Sequence, residues 1–351
     1  MPIVDDENIL HDAILSADFN HHFRKSFSGN IVDENDNFWY ISQEYELANF
    51  VALMESNIGV PLGRILHNSA ADSFEFILQP FSSNKFGFFA KKNRLRMLTK
   101  MWQVYGWGSF GINGHAINSS VHPSVISGFY LAMLEFHYAA RKKIQWRQLS
   151  DNLIVCELED LDKSLSGIQT LSDMPWAIAS SPVNHHSDRL LEKQDLGWSI
   201  DGKQSYVLPC DLINRLIFNA GGYVDNVKKS VDVLWQINGF DSRFVTSVKC
   251  VLQSCKELFL ASDVYVFLNE NNDWQAIIDR YLKPFGFGSL DFVESITDTD
   301  FFTVKLQPNA ILAIGKLVGL WERANGKQAV SKVQLTDASF SIEIKSLLNY
   351  N

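Results

Sequence analysis

The feature that most constrains this chain is that its second half echoes its first. Tyr105-Gly106-Trp107-Gly108-Ser109-Phe110 recurs as Phe285-Gly286-Phe287-Gly288-Ser289-Leu290, at an offset of 180. His122-Pro123-Ser124-Val125 answers to Gln307-Pro308-Asn309-Ala310 at 185, and Leu149-Ser150-Asp151 to Leu335-Thr336-Asp337 at 186. Upstream, Trp39-Tyr40-Ile41-Ser42-Gln43-Glu44 lies over Tyr206-Val207-Leu208-Pro209-Cys210-Asp211 at 167, and Asn20-His21-His22 over Asn184-His185-His186 at 164. The matches keep one order and the offset only grows, as small insertions in loops would make it. The chain therefore reads as two diverged copies of one domain, residues 18–162 and 182–348. Residues 163–181, polar and carrying Gly167 and Pro175, read as the connection.

Each copy shows two different hydrophobic periods. An aromatic strand (Phe38 to Ile41; Tyr206 to Leu208) leads into helical patterns, in copy one at about 43–56, 60–70 and 92–104. The Gly-aromatic-Gly segment reads as extended or bulged backbone. Pro123 and Pro308 suit the first turn of a long helix. Val125, Phe129, Ala132, Met133, Phe136 and Ala140 recur at helical spacing after the first, and Ile311, Ile314, Val318 and Trp321 after the second. Alternating strands close each copy: Ile144 and Trp146, then Leu153 and Val155; Val333 and Leu335, then Phe340, Ile342 and Ile344. The expected class is α+β, two tandem copies of an antiparallel sheet packed by helices, related by a pseudo-two-fold.

This order of elements resembles the small-molecule-binding domain named after 4-vinyl reductases, whose fold also occurs in the Bet-type subunits of the TRAPP tethering complex. The residues that carry the resemblance are Asn57-Ile58-Gly59-Val60-Pro61-Leu62 opening a helix, the Gly-Trp-Gly segment, the Pro123 helix, and the ending from Leu149-Ser150-Asp151 to Cys156-Glu157-Leu158-Glu159. The resemblance implies domains that dimerise and that in some members enclose an apolar ligand or lipid; a fused pair would satisfy that interface within one chain. Many members carry two cysteines around the final hairpin. Here Cys156 falls at a matching place, Leu149 lies near where its partner would be, and copy two has Ile342 opposite Cys156. The family's cysteine pair is therefore incomplete.

Composition narrows the classes. A chain of 351 residues that is 46% hydrophobic can bury two ordinary cores, which argues against general disorder. A net charge of −9 argues against a nucleic-acid protein held by phosphate contacts. The acidic start MPIVDDENILHDAIL lacks the features of a secretory signal, and no stretch approaches the roughly 20 apolar residues of a membrane span. Cys156, Cys210, Cys250 and Cys255 are sparse and irregularly spaced, as buried thiols of a cytoplasmic protein would be.

No phosphate loop, HExxH, tandem CxxC or nucleophile elbow is present. The paired histidines His21, His22, His185 and His186 are the best metal hint, but adjacent histidines point apart on a regular element, and a polar arm copied by duplication accounts for them. His115 and His122 flank the Gly-rich stretch as cleft or core residues. Cys250 and Cys255 read as core thiols, and Lys92, Arg96 and Lys100, with Lys91 and Arg94, as the solvated face of a helix. Trp102, Tyr105, Trp107 and Phe110, echoed by Tyr281, Phe285 and Phe287, form either the lining of an apolar pocket, with His115 beside it, or plain core. The leading reading is a non-enzymatic binding module for a hydrophobic small molecule, a sensor or regulator, acting as a monomeric pseudo-dimer or a homodimer and needing no metal or other cofactor. A scaffold that docks protein partners without a ligand is the alternative, and an enzyme of unrecognised type the second.

Overall fold

A computed structural model describes residues 12–82, 90–162, 168–178, 189–223, 227–268, 273–288 and 290–348. The first half runs α1 (Ala13–His22), β1 (Arg24–Lys25), β2 (Ile31–Val32), β3 (Phe38–Gln43), α2 (Glu46–Ile58), α3 (Gly63–Ser82) and α4 (Ala90–Tyr105). It continues with β4 (Ser109–Gly111), β5 (Ala116–Asn118), α5 (Pro123–Tyr138), β6 (Lys142–Gln148) and β7 (Leu153–Asp160). The second half opens with β8 (Glu192–Gln194), β9 (Gly197–Ile200), β10 (Lys203–Pro209), α6 (Cys210–Ala220), α7 (Lys229–Leu234), β11 (Trp235–Asn238), α8 (Val245–Ala261) and α9 (Trp274–Tyr281). It ends with β12 (Asp291–Ile296), β13 (Thr299–Lys305), α10 (Ala310–Asn325), β14 (Ala329–Leu335) and β15 (Ser339–Ser346). The class is α+β, as the two periods imply. Among these residues no helix is long and apolar enough to cross a membrane.

The terminal sheets share one strand order. The first half gives β4-β5-β7-β6, and the second β12-β13-β15-β14, extended at its edge by β11, which pairs parallel to β14. Each sheet is covered by a helix buried on nearly every side, α5 or α10, and that helix is covered in turn by α3 or α8. The ends of the two covering helices are built alike. Glu135 Oε1 accepts the first strand amide, Lys142 N, at 2.8 Å, and Glu322 Oε1 accepts Ala329 N at 2.9 Å. Each carboxylate is buried and has a cation: Arg141 at 2.6 Å, Lys256 at 2.9 Å. A buried charge is tolerable only when paired and hydrogen-bonded in this way.

A third sheet joins the halves, in the order β1-β2-β3-β10-β9-β8. At its centre β3 and β10 pair antiparallel from Gln43↔Ser205 to Trp39↔Pro209. Around that pair the halves exchange contacts. Helix α2 packs on α8 of the other half, and α6 packs on α3. Asn57 Nδ2 donates to Ser254 Oγ at 3.1 Å, while Asn219 Nδ2 donates to Ser69 Oγ at 2.9 Å.

Three expectations need correction. The Gly-aromatic-Gly segments are not extended: Gly106, Gly108, Gly286 and Gly288 all have left-handed φ, between +73° and +85°, and follow a helical turn. There the chain must reverse while touching the opposite half's central strand, which extended backbone cannot do. Pro123 opens α5 as expected, whereas Pro308 lies before Asn309, the N-cap of α10, because the helical hydrogen bonds begin at the Asn309 carbonyl, which accepts Ala313 N at 3.0 Å; the Pro308 carbonyl is held instead by Asn214 Nδ2 at 3.0 Å. The connection is not simply polar: Leu171, Met174 and Trp176 are buried, with Trp176 packed on Phe240 and Phe340.

A β-carbon on Gly106 would lie 2.8 Å from Trp198 Nε1 and 3.0 Å from Ser205 O; on Gly286, 2.6 Å from Trp39 O. Left-handed backbone and a contact to the partner strand act together, so Gly106→Ala and Gly286→Ala should each lose roughly 2–4 kcal/mol in urea unfolding. A loss below about 0.5 kcal/mol, the range of a neutral surface change, would show that the seam is not packed as described.

Candidate functional site

The first-half aromatics form one packed cluster. Trp107 stacks on Phe129 at 4.2 Å and meets Trp102, Tyr105 and Phe74 edge-on at 5.8, 4.9 and 5.0 Å. Its indole N–H donates to Val207 O of β10 at 2.8 Å, and Trp198 of the second half donates to Val104 O at 2.9 Å. Trp102, Tyr105 and Trp107 are buried, and half-buried Phe110 closes on Trp102 at 4.8 Å. These contacts give the cluster the geometry of a core that locks the halves together.

The other candidates are dispersed. His115, with left-handed φ, sits 3.5 Å from the Tyr130 hydroxyl, which donates to Gly111 O. His122 caps α5, its Nδ1 accepting Ser124 N at 3.3 Å. Phe287 lies against Tyr40 of β3, with Lys316 over its ring at 4.2 Å, and Phe285 lies near the same lysine. Tyr281 donates to Tyr265 O and lines an open cleft of about 370 Å³ with Tyr265, Phe267 and Arg280. His21 and His22 end α1, and burial lowers the His22 pKa below its usual value. Their counterparts His185 and His186 lie outside the described residues. Among those residues, no group of three or more His, Cys, Asp or Glu side chains could hold a metal. The four cysteines are free and buried, and burial pushes Cys156, Cys250 and Cys255 up to about 12, so they are protonated thiols at neutral pH. A Ser–His hydrogen bond, His67 Nδ1 to Ser127 Oγ at 2.9 Å, is sealed in the α3–α5 contact, and burial lowers His67 to about 4.

The site with the strongest construction lies where α6 crosses α3. A cleft of about 330 Å³ opens between the turn before β3, the C-terminal part of α3, the start of α6 and residues 170–178. Phe38, Phe76, Ile77, Leu171, Ala177, Ile178, Pro209 and Pro308 supply apolar walls, while Asn35, Asn37, Asp36, Asp211 and Arg215 supply polar groups. Asn214, fully buried, fastens two walls at once: its Oδ1 accepts Trp176 Nε1 at 3.1 Å and its Nδ2 holds Pro308 O.

Arg215 is only 4% exposed. Its Nε donates to Asp211 Oδ2 at 2.6 Å, its Nη1 to Gln169 O at 3.1 Å, and its guanidinium lies over the Phe76 ring at 5.7 Å. Burial raises the Asp211 carboxyl above its ordinary value, against the pull of Arg215. Asp72, one turn before Phe76 on α3, is raised by burial too. Sequence reading missed this site, although an Asp–Arg pair at i, i+4 set among Cys210, Leu212, Ile213, Leu216 and Ile217 is a visible signal. At the opposite crossing, where α2 meets α8, the space is only about 30 Å³, room for about one water. Glu46 and Lys316 meet there at 3.6 Å.

Trp107→Ala should therefore cost about 3–5 kcal/mol of stability, the loss expected of a core aromatic, measured by urea denaturation. A cost under about 1 kcal/mol would mean that the ring lines open space instead.

Comparison with known proteins adds no relative: no family model, no curated protein and no solved structure gives a significant match to this chain.

Proposed function

We propose that this chain is a fused pair of diverged copies of one domain, and that it is a non-enzymatic binding module for a small apolar molecule held in the cleft at the α3–α6 crossing. The duplication is supported by the shared strand order and by the reciprocal contacts of α2 with α8 and α6 with α3. The binding reading is carried by one observation: an apolar-walled cleft of about 330 Å³ has a 4%-exposed arginine among its lining residues. Small-molecule sites are typically about 300–1,000 Å³, mostly apolar, with a few fixed polar groups. The cleft beside Tyr281 offers such a ligand no buried polar anchor, because its charged lining residues, Asp273 and Arg280, are exposed.

Photolabelling with an alkyl diazirine tests the site. Labelled peptides should contain residues 76–77 and 170–178. Ile178 is 62% exposed, so Ile178→Arg should leave the fold intact while cutting the label about tenfold, equivalent to 1.4 kcal/mol of binding. Labelling that is unchanged in the variant, or that maps elsewhere, would remove the cleft from consideration.

The scaffold reading keeps one observation in its favour. The rings of Tyr265 and Phe267 lie parallel, 6.4 Å apart, and project into solvent. A docked protein should protect them from hydroxyl-radical oxidation in a cell extract relative to purified protein. Equal oxidation in both would sink that reading.

A further inference from the structure

We infer that the ligand of this cleft is an uncharged amphiphile: an apolar body ending in one hydroxyl or carbonyl oxygen that accepts a hydrogen bond from Arg215 Nη2. The inference rests on the binding function proposed above and names the chemical class that function would serve.

Two observations select the class. The charges on the cleft wall already compensate one another. Arg215 is paired with Asp211 at 2.6 Å, and Asp36 with Arg24 at 3.2 Å. A carboxylate entering here would meet Asp211 beside the guanidinium it sought. An ammonium would meet Arg215. Either would be desolvated among apolar side chains without a counter-ion of its own, which is far costlier than burying a neutral polar group that finds a hydrogen bond.

The second observation is the donor left over. With Nε on Asp211 and Nη1 on Gln169 O, Nη2 makes no hydrogen bond among the described residues. Those two bonds and the Phe76 ring fix the plane of the guanidinium, so Nη2 is held in place. A fixed donor group beside a carboxylate acceptor suits a hydroxyl, which can accept from Nη2 and donate to Asp211. The apolar walls contributed by Phe76, Ile77, Leu171 and Ile178 would take the body of such a molecule.

The test is calorimetric titration of the full chain at neutral pH with octanol, octanoate and octylamine, which share one chain and differ in head group. The account expects octanol to bind, with octanoate and octylamine each about tenfold weaker or worse. Arg215→Lys keeps the charge next to Asp211 but loses the fixed third donor, and should erase the preference for octanol while leaving binding of the alkyl chain. Ion-blind binding, with all three ligands equal and all sensitive to Ile178→Arg, would leave the cleft as a binding site and overturn the inference about its ligand. Tighter binding of octanoate or of octylamine would overturn it as well. No binding of any of the three, together with failed photolabelling, would take down the binding function and this inference together.

Discussion

Everything in this fold depends on the pairing of β3 with β10. Both strands are buried on both faces through most of their length: Phe38, Trp39, Tyr40 and Ile41 on one, Tyr206, Val207 and Leu208 on the other. A strand with apolar residues on both sides cannot stand at a solvated edge without inviting aggregation. Each strand finds in the other half the neighbour that its own half does not supply, and the helix that follows it is carried across as well. So α2 lands on α8 and α6 on α3, and the left-handed turns at Gly106 and Gly286 can sit directly against the opposite strand. The indoles of Trp107 and Trp198 then fasten each half to a carbonyl of the other.

Much of the local structure was legible in the sequence, because it follows from hydrophobic period and turn chemistry. The α5 start at Pro123, the strand at Phe38, and the closing hairpins around Leu149-Ser150-Asp151 and Leu335-Thr336-Asp337 all lie where the pattern puts them. The exchange between halves was not legible. Periodicity says which face of α2 is apolar, and nothing in it says that α8, some two hundred residues away, covers that face. The aromatic cluster shows the same limit. Its composition suits a pocket lining and a core equally, and only the stacking of Phe129 on Trp107 and the carbonyl of Val207 distinguish them. The cleft was invisible for a related reason: its walls come from five separate parts of the chain, two of which Asn214 holds together.

The two crossings at the centre of the molecule differ in the room they leave. At the α2–α8 crossing Glu46, Lys316, Phe287 and Cys255 leave almost no room. At the α3–α6 crossing, residues 170–178 add a wall to the cleft. On the duplication and the binding function proposed here, one copy of an ancestral crossing would have been filled, and the other left open for a ligand.

The central claim is that the halves form one cooperative unit, because their shared sheet cannot lose one half's strand without exposing the other's. Differential scanning calorimetry measures this most directly. The account predicts a single endotherm whose calorimetric and van't Hoff enthalpies agree, a ratio of about 1. Two resolved transitions, one for each half, would contradict it, because they would show that β3 and β10 can part while each half remains folded.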